Sequence, residues 1–345
     1  MPVYVLDRKG HKPLKGCLTI VGLLVLAAAA AGGYAAWDLY RYAESPMGPP
    51  AKPVAVSVPA GQTFGDTLRR LRAAGIVRSP RRFEALARLK GLDTKVQAGE
   101  YWLTPDATPT KLLQQLVSGK VRMHALTLPE GYTIRQYAAL VEEKGLAPGE
   151  AFLAVAADAA LAHEYGIPGE TLEGYLFPDT YHFPKGLPTK QLVDHMIAKF
   201  WTVFKPEWED RARDLNMTLH EIVTLASIIE KETGAPAERK LISSVFHNRL
   251  KRNMRLQSDP TVIYGLKNFN GNLTKKDLET PTPYNTYTTG GLPPGPIANP
   301  GAGALEAALY PADTKHLYFV SRNDGTHHFS GSLKEHNRAV RKYQR

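Results

Sequence analysis

A chain of 345 residues, 43% hydrophobic and 22% charged, has an ordinary globular composition, which excludes wholesale disorder, a collagen-like rod and a coiled coil. Its single cysteine, Cys17, excludes a disulfide framework and a thiolate-rich zinc site, so packing must supply stability. An excess of 43 Lys and Arg over 33 Asp and Glu gives +10, which favours an anionic surface or polymer without naming one.

Leu18 to Trp37 runs twenty residues without a charge, behind Arg8, Lys9, Lys12 and Lys15. Twenty helical residues rise about 30 Å, enough to cross a bilayer. The basic flank places residues 1–17 in the cytoplasm, a transmembrane anchor at 18–37 and everything after it outside. A cleaved signal peptide is the rival reading, since Ala27 to Ala31 offers small-residue cleavage sites, but the apolar stretch is longer than a signal's usual core. Residues 38–53, with four prolines from Glu44 to Pro53, read as a linker.

A repeat follows. Val56-x-Val58-Pro59-x-Gly61-x-Thr63 recurs as Leu126-x-Leu128-Pro129-x-Gly131-x-Thr133, and Gly75-Ile76 recurs as Gly145-Leu146. Ala98 to Leu103 and Leu172 to Pro178 each precede a helical stretch, so both units, 54–125 and 126–205, read as strand, helix, helix, strand, helix. The repeat is either duplicated scaffolding or carbohydrate-binding, and its pattern resembles the LysM class, which binds N-acetylglucosamine chains.

In the second half, Thr218-x-x-Glu221 is a capping box that opens a helix, and Gly234 after Thr233 supplies its stop. With Ile222 at zero and 100° per residue, Glu230 falls at about 80°, among Leu219, Val223 and Ala226 on the apolar face. Partial desolvation there raises a carboxyl toward the range of a general acid, which makes Glu230 the catalytic candidate. A helix-end glutamate facing solvent or an arginine is the plainer alternative. Glu232, at about 280° in the last turn, competes but escapes more easily to water.

Other chemistries find no footing. His220-Glu221-Ile222-Val223-Thr224 lacks the second histidine of a zinc-protease motif, no other metal or cofactor motif is present, and His327-His328 would face opposite sides of a strand. Ser227 and Ser258 lack a nucleophile-elbow context, and an exported chain disfavours nucleic acid as partner. From Thr280 to Gly301, six prolines and four glycines exclude helix and central strand. The loop's Tyr284, Asn285 and Tyr287 offer flat rings with polar edges suited to pyranoses, and Asn248 and Gln257 add neutral donors that would not lower a neighbouring acid's pKa. Turn chemistry and helix capping would account for the same residues. A hairpin around Asn323-Asp324-Gly325 and a helix capped by Ser332-x-x-Glu335 close the chain.

Leu172 to Tyr181, Ala226-Ser227-Ile228-Ile229-Glu230-Lys231-Glu232, Asn248-Arg249-Leu250, Met254 to Thr261 and Tyr284-Asn285-Thr286-Tyr287 together resemble the YceG-like family of endolytic murein transglycosylases. The resemblance implies an α+β fold: transmembrane helix, LysM-like α+β region, then a mainly helical, lysozyme-like catalytic domain over 206–345 with a β-hairpin. It implies cofactor-free cleavage of the N-acetylmuramic acid to N-acetylglucosamine β-1,4 bond of peptidoglycan, leaving 1,6-anhydro ends. Glu230 takes the family's single catalytic glutamate, with Gln257 and Tyr284-Asn285 in the cleft; Lys231 departs from the serine that often follows that glutamate in other lytic transglycosylases. The implied surroundings are glycan strands, the bacterial inner membrane with the catalytic domain on its outer side, and cell-wall synthesis enzymes. A hydrolytic muramidase would need a second acid, for which Glu173 and Asp259 are candidates. A non-catalytic peptidoglycan-binding scaffold is the other alternative.

Overall fold

The computed structural model describes residues 13–59 and 61–344, with side chains from Leu18 onward. Arg8, Lys9 and Lys12, and the side chains of Lys15 and Cys17, lie outside the described residues. The chain divides into two compact units, residues 1–122 and 123–345, with the mixed helix and strand content of an α+β fold.

In the first unit, α1 (Pro13–Glu44) contains the apolar span and, among the described residues, is the helix long and apolar enough to cross a membrane. It runs past Trp37 because no breaker intervenes before Ser45-Pro46, so the expected linker shortens to 45–53. Its last turns leave the apolar span and join a protein core: Ala43 is buried with Met47, and Asp38 pairs with Arg82 at 3.2 Å. That core is built by β1 (Val54–Val58), α2 (Phe64–Ala73), α3 (Pro80–Leu89), β2 (Gly99–Leu103) and α4 (Pro109–Val117), with β1 and β2 antiparallel and Val56 opposite Tyr101.

The second unit opens in the same order: β3 (Met123–Thr127), α5 (Ile134–Glu143), α6 (Gly149–Ala156), an additional α7 (Ala159–Glu164), β4 (Thr180–Pro184) and α8 (Thr189–Val203). The repeated letters are repeated backbone requirements. Gly61 and Gly131 take φ of 76° and 74°, left-handed values that a β-carbon resists, and Thr63 with Asp66 and Thr133 with Gln136 form equivalent capping boxes. One part of the repeat differs from expectation. Leu172 to Pro178 is not a strand, because the Gly174 and Leu176 amides donate to the buried Asn299 side chain rather than to a sheet, and β4 begins only at Thr180.

The chain continues through α9 (Pro206–Asp214), α10 (Leu219–Glu232), α11 (Arg239–Lys251), α12 (Asp259–Gly265), α13 (Lys275–Glu279), α14 (Ala302–Leu309), the antiparallel hairpin β5 (Tyr318–Ser321) and β6 (His327–Ser330), and α15 (Leu333–Tyr343). One hydrophobic core runs from Leu126 to Leu309, so residues 126–205 and 206–345 pack around shared apolar side chains. At its centre lies α10, opened by the Thr218–Glu221 capping box and buried without interruption from Ile222 to Ile229. The helix ends where expected, in an extended Thr233 (φ −85°, ψ 108°) just before Gly234. Gly234 permits close approach: a β-carbon there would stand 2.9 Å from the Gly325 carbonyl oxygen in the hairpin turn.

The proline-rich stretch carries no helix or strand, as its composition requires, but Gly295 to Gly301 is buried. It passes alongside α10, where the Ile297 amide donates to Ser227 Oγ at 3.0 Å. Asn299 ties the unit together: its Nδ2 donates to the Tyr132 carbonyl and Glu173, while its Oδ1 accepts from Gly174 and Leu176.

Candidate active site

The last turn of α10 ends beside a cleft of about 590 Å³. Glu232 lines it, together with Gln257 and Asp259 before and at the start of α12, Tyr287 of the proline-rich loop, Arg249 of α11, and Tyr318 and His327 of the hairpin. Gln257 has φ +51°, an outward-turned backbone fixed by its amide donating to the Thr286 carbonyl. Its Oε1 accepts from Arg249. The Tyr287 hydroxyl donates to Asp259 at 2.6 Å, so the two residues form one wall.

Glu232 accepts a 2.6 Å hydrogen bond from Ser258 Oγ through Oε1, and its Oε2 has no hydrogen-bond partner among the described residues. Burial pushes its carboxyl up from the usual glutamate range, reinforced by the neighbouring charge of Asp259 and opposed by Ser258, His327 and Arg249. A desolvated carboxyl at a cleft wall, with one oxygen not hydrogen-bonded among the described residues, can deliver and take back a proton.

Glu230 has a different setting. Its side chain is only 8% exposed, and both oxygens are engaged: Oε1 with Arg239 at 3.3 Å and Oε2 with the Gly301 amide at 3.1 Å. Arg239 also reaches Glu130 at 3.3 Å. Burial raises the Glu230 carboxyl, against the Gly301 amide and the Arg239 guanidinium. Glu230 thus joins α10 to the start of α14 and to the loop after β3, where its Cγ would lie 3.5 Å from a β-carbon on Gly131.

Of the remaining residues expected at the site, the cleft gathers only Gln257 and Tyr287. Asn285 is fully buried, and its amide donates to the carbonyls of Asp277, Leu278 and Thr280 while its Oδ1 accepts from the Tyr287 amide, so it shapes the loop and has no free donor for a sugar. Asn248 spends its amide on the Thr314 and His316 carbonyls, holding the approach to β5. Tyr284 packs its ring on Tyr264, with centroids 4.8 Å apart, and is not among the residues lining the cleft. Glu173, at 3% exposure, faces inward: it accepts from the Ile134 amide, Asn299 and the Tyr264 hydroxyl, and burial lifts its carboxyl to about 8. Of Glu230, Gln257 and Tyr284, only Gln257 is among the residues that line this cleft.

Two contributors were missed in the sequence. Arg249, 8% exposed, donates to the carbonyls of Leu256 and Leu317 and lies 5.1 Å from the Tyr318 ring centroid, making a cationic cleft wall where only neutral donors were expected. Its position inside Asn248-Arg249-Leu250, on a helix with buried neighbours, was the available signal. His327 does separate from His328 as strand alternation requires: it pairs with Glu238 at 2.8 Å, whereas the His328 ring lies 5.9 Å from that of Tyr343. No cluster of three or more metal-ligating side chains occurs among the described residues.

Residues 56–342, spanning both units, match the YceG-like family. This chain belongs to that family. It is 32% identical over 305 residues to the endolytic murein transglycosylase of Bacillus subtilis, covering 84% of each chain. It is 30% identical over 351 residues to that of Streptococcus pneumoniae, covering 92% of this chain and 63% of the pneumococcal protein. A 2.6 Å crystal structure of a YceG-like protein from Listeria monocytogenes superimposes with a TM-score of 0.58 at 33% identity, over 83% of this chain and 98% of that one. The family resemblance read from the sequence motifs therefore holds over the anchor-distal chain.

Proposed function

We propose that this YceG-like chain is a membrane-anchored endolytic lytic transglycosylase that cleaves the N-acetylmuramic acid to N-acetylglucosamine β-1,4 bond of peptidoglycan, with Glu232 rather than Glu230 as its acid and base. The observation that carries the choice is the shared cleft: Glu232 lines it with Gln257, Asp259 and Tyr287, whereas both oxygens of Glu230 are engaged outside it. The raised Glu232 carboxyl gives its proton to the glycosidic oxygen as the bond to muramoyl C1 breaks. The resulting carboxylate then takes the proton of the muramoyl C6 hydroxyl while that oxygen closes on C1, so no water is consumed and one carboxyl serves both steps. Gln257 and Tyr287 present an amide and a ring to the sugars, and Arg249 holds the Gln257 side chain.

In this reading α1 crosses the bacterial inner membrane once with the N-terminus cytoplasmic, both 54–125 and 126–205 are LysM-like supports, and 206–345 carries a lysozyme-like site with no cofactor. Cell-wall synthesis enzymes are its expected neighbours. The decisive experiment digests purified sacculi with the full-length protein and weighs the fragments. New ends lighter than hydrolysed ones by the mass of one water support the proposal. Ordinary reducing ends would reject it in favour of a muramidase, for which Asp259 in the same cleft supplies the second carboxylate. Binding without cleavage would leave a scaffold.

A further inference from the structure

A second cavity, of about 560 Å³, adjoins the Glu232 cleft along two elements. On α10, Glu232 lines the cleft and Lys231 the cavity; on α12, Asp259 lines the cleft and Pro260 the cavity. Arg135 on α5 and Lys267 after α12 complete a set of three cations around it, and no Asp or Glu lines it among the described residues. Residues 123–345 as a whole hold 25 Lys and Arg against 25 Asp and Glu, so this wall departs from the balance of its own unit. None of the three cations forms an ion pair among the described residues; the Lys231 ammonium donates to the Gly131 carbonyl at 3.2 Å. Arg135, Lys231 and Lys267 are exposed, and Ile263, Leu266 and Phe269 give the cavity an apolar side. Beside it the Tyr264 hydroxyl is satisfied by the buried Glu173, leaving that carboxyl facing inward.

Three cations without an ion-pair partner among the described residues, beside small apolar surface, suit a ligand that carries several carboxylates among methyl groups. We propose that this cavity receives a carboxylate-bearing peptide stem of the strand held in the Glu232 cleft, an inference that rests on the glycan-cleaving reading above. The stems hang from alternate sugars of the strand. A strand following α10 and α12 therefore carries a stem past the cavity while its glycosidic bond lies at Glu232. Lys231, placed between two glutamates in sequence, acquires a role from its direction: it turns from the cleft toward the neighbouring site.

The test measures binding separately from cleavage. The full-length Glu232→Gln protein in detergent micelles is titrated with uncrosslinked glycan strands of one length, either carrying their peptide stems or stripped of them by an amidase. Stemmed strands should bind about tenfold more tightly, as expected for a few exposed charge contacts. The ratio should shrink with added salt and fall to near one when Arg135→Gln, Lys231→Gln and Lys267→Gln are combined. Lys267→Glu alone, a change at an exposed position, should lower the ratio without depending on the triple variant's folding. Equal binding of both strands, or a preference that survives the triple change, overturns the stem site. Displacement of both strands alike by inorganic polyphosphate, with no stem preference, also overturns it by making the cavity a general anion site. Stem preference in the absence of any cleavage by the unsubstituted protein would sustain the cavity while rejecting the transglycosylase reading.

Discussion

The two glutamates of Glu230-Lys231-Glu232 can be separated by the same isosteric change. Glutamine at 232 keeps an acceptor for Ser258 Oγ but cannot donate a proton to a leaving oxygen. Removing a general acid costs about 10²–10⁴-fold in rate, and more where the same group must later act as base. Folding should change little, because one neutral hydrogen bond is retained and a raised, desolvated charge is removed. At 230 the ledger reverses. Glutamine there can satisfy the Gly301 amide or Arg239, but not both with charge, and Arg239, whose side chain is 21% exposed, keeps only Glu130 as counterion. Loss of a hydrogen bond to a charged group costs roughly 1.5–3 kcal/mol, so Glu230→Gln should unfold several degrees earlier while keeping turnover per folded molecule within about tenfold, below the loss of a general acid. The assay is anhydro-end release from sacculi, normalised to folded protein by near-ultraviolet circular dichroism. A fully folded Glu230→Gln protein without activity, beside an active Glu232→Gln protein, would refute the assignment and restore the wheel-based choice.

Three further outcomes follow from buried groups. Burial holds the Glu173 carboxyl at about 8, above its ordinary 4.5, so the folded state binds the extra proton; stability should be full below about pH 4.5 and decline as pH rises toward 8, and Glu173→Gln should flatten that decline in thermal melts at stepped pH. Asn299→Ala strands the Gly174 and Leu176 amides in the interior and should cost on the order of 3 kcal/mol or more in urea unfolding, whereas an unchanged midpoint would show that water replaces the side chain. Tyr287→Phe frees Asp259 from its 2.6 Å hydrogen bond and should impair cleavage several-fold through KM rather than through folding; full activity would remove that wall from the substrate site.

Local rules made most of the elements legible. The capping box at Thr218, the repeated Pro-x-Gly-x-Thr letters at 59–63 and 129–133, the hairpin at Asn323 to Gly325 and the prolines after Thr280 each impose a backbone state through covalent geometry or one nearby hydrogen bond, so their letters suffice. The boundary errors have the same origin seen from the other side. Leu172 to Pro178 looked like a strand because its amides' partner, Asn299, lies more than a hundred residues away, and α1 outran its apolar span because helix continuity and membrane burial end for different reasons.

Periodicity alone does not choose between Glu230 and Glu232, for a deeper reason. A helical wheel identifies a buried face only when the opposite face is wet, and α10 is enclosed from Ile222 to Ile229. Inside such a helix the angle at which a carboxylate emerges says which neighbours it meets, not whether it is desolvated. Glu230, on the apolar side of the wheel, meets an arginine and a main-chain amide. Glu232, in the last turn, meets Ser258 and a cleft wall built partly by the hairpin and by α12, elements distant in sequence. Distinguishing the two therefore needs the tertiary question of what closes over each side chain.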